Sequence, residues 1–77
     1  MPVPVSALAR DLSGALGCRV EVGFLPDTLE VVAVAYPEPN RDVQVTMFAL
    51  PAWLGPLDNP YFRLRYDLLR ELRDLIA

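Results

Sequence analysis

The chemistry open to this chain is bounded by ten carboxylates, seven arginines, two serines and one cysteine, because it has no histidine and no lysine. Without those two residue types there is no imidazole to act as general base and no amine to form a Schiff base. Ser6 and Ser13 both fall in the first predicted helix, with no base placed to activate them. Asp11, Glu21, Asp27, Glu30, Glu38, Asp42 and Asp58 are scattered, and none shows the dense spacing of a calcium loop. A lone Cys18 cannot build a zinc site. The sequence holds no Gly-rich phosphate loop, no His-Glu-x-x-His and no paired cysteines. The expectation is a protein that is not an enzyme and uses no cofactor and no metal. A two-carboxylate hydrolase is the one catalytic class these residues permit in principle.

Cys18 opens a predicted strand on its apolar face and reads as a small buried hydrophobe. A reactive thiol wants nearby positive charge, and Arg19, next in sequence, points to the other face. The arginines raise a different possibility, phosphate binding. Arg63, Arg65, Arg70 and Arg73 share the last 18 residues with three acids, which leaves that segment at net +1 while the whole chain is at −3. That balance makes no basic patch, so nucleic acid is not the expected partner.

Seventy-seven residues make one domain, and an apolar share of 53% is too high for a disordered chain. A domain of this size buries only about 60% of its unfolded surface, so association is one of the usual reinforcements. One cysteine allows no internal disulfide, which suits a reducing cytosol. Arg10 and Asp11 interrupt the apolar start, so no signal peptide is expected, and no stretch approaches the ~20 apolar residues that span a bilayer. The expected location is cytoplasmic, with no membrane partner.

The elements follow from hydrophobic period. Val5 to Leu16 places Val5, Leu8, Leu12, Ala15 and Leu16 on one helical side, with Pro4 or Ser6 to start it and Gly17 to end it. Cys18 to Leu25, Leu29 to Tyr36 and Asp42 to Leu50 read as three strands joined by short turns at Pro26-Asp27 and Pro37-Glu38-Pro39-Asn40. Short connections favour an antiparallel meander. Asn59-Pro60 starts a last helix that runs close to Ala77, with Leu64, Leu68, Leu69, Leu72, Leu75 and Ile76 on its apolar face. On its solvated side Arg63 pairs with Asp67, and Arg70 with Asp74, at i,i+4 spacing. The predicted fold is α+β: helix, three-stranded antiparallel meander, helix, as one domain over residues 1–77, with both helices on one sheet face. This element order resembles that of the double-stranded-RNA-binding domain in topology, without a shared motif. That resemblance implies phosphate binding near the second helix, and the acidic balance here departs from it. In size and acidity the chain is also similar to small α/β secretion chaperones.

The central strand is apolar on both sides. Leu29, Val31, Ala33 and Ala35 share one face; Glu30, Val32, Val34 and Tyr36 share the other. If both helices cover the first face, the second is left open. Val32, Val34 and Tyr36, beside Thr46 and Phe48 of the next strand, then form the expected partner-binding surface. Trp53 and Leu54, in the loop before the last helix, either fold back over this patch or leave it free. Trp53 is expected to close the core under the last helix, with a role as partner anchor the alternative. Arg65 lies almost on the line of Leu72 along the apolar side of that helix. Its expected role is to cover apolar surface with its stem while the guanidinium reaches water. A buried ion pair and a place in an interface are the alternatives. The function expected is a small protein-interaction module, a homodimer, accessory subunit or inhibitor. The alternatives are a nucleic-acid module using the last helix's arginines and a binder of a small apolar ligand between sheet and helix.

Overall fold

The computed structural model describes residues 4–48 and 60–77. Helix α1 (Val5–Leu16) buries Leu8 and Leu12 completely. Val5 and Leu16 are half-buried, and Ala15, expected on the same side, is exposed. Pro4 rather than Ser6 starts the helix, its carbonyl accepting the Leu8 N–H at 3.0 Å. Gly17 ends it at φ 70°, a left-handed conformation that costs glycine little, and its N–H returns to the Ser13 carbonyl at 2.9 Å.

Three strands follow in the order β1 (Arg19–Leu25), β2 (Glu30–Glu38) and β3 (Arg41–Phe48), each antiparallel to its neighbour. The meander is the one the short turns predict. Strand limits differ from the sequence reading. Strand β1 begins at Arg19, one residue after Cys18. Leu29 is not in β2: it closes the turn at φ 57°, 39% exposed, and so does not share the inner face with Val31, Ala33 and Ala35. At its other end β2 runs past Tyr36 to Glu38. The pairing shifts there, so that Tyr36 and Pro37 lie opposite Asp42. Such a bulge tolerates proline because it needs no ladder N–H at that point. The predicted continuation of β3 to Leu50 lies outside the described residues.

Helix α2 (Pro60–Ile76) buries Leu64, Leu68 and Leu72 at i,i+4 spacing. Leu69 and Ile76 are half-buried, and Leu75 is exposed. Asn59 lies outside the described residues. Helix α1 rests on β1, α2 rests on β3, and the helices touch each other above β2. Both helices therefore cover one face of the sheet. Val20, Val31, Ala33 and Ala35 meet them from below, with Val22, Phe24, Val43, Val45 and Met47 around the margin. Val31, Ala33 and Ala35 of β2 are fully buried beneath the helices. No helix among the described residues is long and apolar enough to cross a membrane.

Candidate protein-interaction surface

Because successive strand residues alternate faces, burying Val20, Val31 and Val43 toward the helices turns every second residue the other way. The register arranges those residues in four rows. From β1 to β3 they are Arg19, Tyr36 and Asp42; Glu21, Val34 and Gln44; Gly23, Val32 and Thr46; Leu25, Glu30 and Phe48. Asp42 joins the first row opposite the bulge. Val32, Val34 and Tyr36 with Thr46 and Phe48, the expected patch, all lie on this outer face, Val32 beside Thr46 and Phe48 one row further on opposite Glu30. The sequence reading missed Leu25, which extends the patch across Glu30. It is 49% exposed and Phe48 is 53% exposed. The alternation within β1 already placed Leu25 opposite Val20, Val22 and Phe24, so the signal was present.

Tyr36 differs in character from Val32 and Val34. The Arg19 guanidinium sits over its ring at 5.0 Å from the centroid, and Arg19 Nη2 lies 2.7 Å from Glu21 Oε1. The Glu21 carboxylate accepts the Tyr36 hydroxyl hydrogen bond and holds that phenol above its usual pKa; desolvation adds to this and Arg19 opposes it. One end of the outer face is thus polar, and Leu25 and Phe48 mark an apolar end. A shallow open groove of about 400 Å³ borders the polar end, lined by Gly17, Cys18, Arg19, Tyr36, Pro37, Glu38 and Pro39. Cys18 is free and half-buried there, at the margin of the core.

Gly23 bears on the same surface. Its φ is not left-handed, and a Cβ placed on it would meet nothing within 4 Å among the described residues. The described residues give no internal reason for a residue that weakens a strand. Glycine at such a position often marks the close approach of another backbone.

Arg65 lies on the other side of the molecule. Its Nη1 is 3.8 Å from Asp11 Oδ2 of α1, and its guanidinium stands 4.9 Å from the Phe62 ring centroid. The Arg65 side chain is 42% exposed and links α2 to Asp11 of α1. Asp11 also accepts a hydrogen bond from the Tyr61 hydroxyl. Burial first, and that hydrogen bond second, raise the Tyr61 pKa. Trp53 and Leu54 lie outside the described residues.

No family model matches this chain, nor does any curated protein or solved structure. On α2, Phe62 and Tyr66 are 53% and 62% exposed, and the Arg65 and Arg70 guanidiniums stand against their rings. Their helical positions, outside the Leu64, Leu68 and Leu72 stripe, were the signal for that exposure. Arg63 pairs with Asp67 at 3.8 Å as its spacing predicts. Arg70 does not reach Asp74; it lies 3.8 Å from Glu71 and leans back over Tyr66, the direction in which helical side chains point. Among the described residues no three His, Cys, Asp or Glu side chains gather as metal ligands would.

Proposed function

We propose that this chain is a non-catalytic protein-interaction module that binds through the outer face of its sheet. One observation carries the reading. Both helices occupy one sheet face, and the opposite face presents Val32, Val34, Leu25 and Phe48 with none of the described elements over it. Leu25 and Phe48 are exposed and Val32 and Val34 half-buried on this face, with Glu30 and Thr46 among them, and apolar side chains gathered on an uncovered sheet face are typical of interaction sites. Gly23, a strand glycine with open space above it, adds to the argument. The chain itself, tagged and used as bait against host lysate and against untagged copies, tests the reading. Val34→Glu should lose whatever the native chain retains while keeping its far-ultraviolet spectrum. Equal recovery by both would overturn it.

A second reading has one observation in its favour: exposed Phe62 and Tyr66 interleaved with Arg65 and Arg70 along α2, the residue types on which single-stranded nucleic acid stacks. Against it, both guanidiniums already face carboxylates, and the chain is net −3. Micromolar binding to an oligonucleotide that falls steeply with salt would favour it.

A further inference from the structure

Within one copy, the first row of the outer face carries opposite charges at its two ends, Arg19 on β1 and Asp42 on β3. A two-fold axis in the plane of contact and parallel to β2 lays β1 of one copy over β3 of the next, so that each row faces itself reversed. We infer that the outer face binds a second copy of this chain about that axis, a proposal that rests on the interaction reading above. Arg19 then meets Asp42 of the second copy, and Leu25 meets Phe48. Glu21, an acceptor, meets the amide of Gln44. Gly23 leaves room for Thr46, which gives the glycine the close approach that the described residues do not supply. Val32 and Val34 pack on their own counterparts at the axis. The twist of packed sheets, about 30° between their strands, displaces the outermost rows by an amount that an arginine side chain spans.

The other in-plane axis, perpendicular to the strands, sets Arg19 on Leu25 and Asp42 on Phe48. It removes Asp42 from water without giving it a partner, and it gives Arg19 none beyond the Glu21 of its own chain. The parallel axis has one conflict: Glu30 faces Glu30. That pair makes the two arrangements separable, since the perpendicular axis puts Glu30 against Tyr36 instead. The footprint also sets the strength. Three strands of seven residues cover roughly 14 by 23 Å, on the order of 300 Å². That is well under the roughly 800 Å² per partner of standard interfaces, so the dimer is a weak one that responds to concentration.

Sedimentation of the full chain from about 10 μM to 1 mM, the range in which exposed apolar surface associates, tests this. A monomer–dimer equilibrium is expected. Arg19→Asp and Asp42→Arg should each weaken it about tenfold, and the double variant should recover the native constant, because the swapped charges meet across the axis. Glu30→Gln should tighten it. A monomer throughout overturns self-pairing, and leaves the interaction reading standing if Val34→Glu still loses a captured protein. A dimer that Val34→Glu does not weaken overturns both. A dimer weakened by Val34→Glu but neither rescued by the double swap nor tightened by Glu30→Gln overturns the parallel axis.

Discussion

Arg41 Nη2, on the first residue of β3, donates hydrogen bonds to the carbonyl oxygens of Leu75 at 2.9 Å and Ile76 at 3.1 Å. The last carbonyls of a helix have no partner within the helix, and the dipole leaves that end negative. A cation from the sheet meets both needs and fixes the end of α2 to the strand beneath it. Arg41→Met keeps the stem and removes the donors. It is expected to cost about 1 kcal/mol, since the contacts are partly open to water. Urea denaturation gives the loss, and faster amide exchange confined to the last turn of α2 gives its location. Uniform acceleration along α2 would argue against a local cap.

The Tyr61 hydroxyl and the Arg65 guanidinium converge on Asp11, joining α1 to α2. Because the folded-state pKa of Tyr61 is raised, its contribution is complete below its unfolded value of about 10 and is lost as pH rises through the folded value. Tyr36 is shifted the same way. Stability should therefore decline above about pH 10. Tyr61→Phe is expected to lose up to about 1 kcal/mol near neutral pH, because half of this contact is in water, and to flatten part of the alkaline decline. Denaturation at neutral and alkaline pH compares the two slopes. Identical slopes would place the decline elsewhere.

Period decided what the sequence could show. Alternation in the strands and 3.6-residue spacing in the helices gave the meander and the shared helix face, because each element buries one side. The outer-face residues Val32, Val34 and Phe48 followed from the same parity. What parity cannot reach is the point where it breaks. The turn residue Leu29 sits beside an alternating run whose parity it shares, so period alone places it in the strand. The bulge at Tyr36 and Pro37 shifts the pairing register without changing composition. Contacts between distant elements were also hidden. Asp11 with Tyr61, and Arg41 with Leu75, depend on how helices cross a sheet, and no local pattern encodes that.

Leu29 holds φ 57° although it is neither glycine nor asparagine. The left-handed region costs a side chain about 1–2 kcal/mol, and more when the side chain is β-branched. Leu29→Gly relieves that strain and gives up partial burial and chain entropy, so its net effect should fall within about 1 kcal/mol of zero. Leu29→Val keeps an apolar residue and adds branching, and should destabilise by about 1 kcal/mol or more. Chemical denaturation of both variants decides. A valine variant as stable as the native chain would mean that the turn relaxes out of the left-handed region.

Arg65 gives the sharpest separation between the two sides of the molecule. Its side chain is 42% exposed, and its ion pair with Asp11 is long at 3.8 Å. Exposed pairs of that kind contribute little, and methionine reproduces the stem. Arg65→Met should therefore change stability by less than about 1 kcal/mol. It should also leave association through the outer sheet face untouched, because α2 packs on the opposite face. Both quantities come from one preparation, by urea denaturation and by sedimentation. A loss of several kcal/mol would mean that the guanidinium satisfies a buried carboxylate, since breaking such a pair strands a charge. Unchanged stability with weakened association would move the interface to the helix side, where Phe62 and Tyr66 stand exposed beside this arginine.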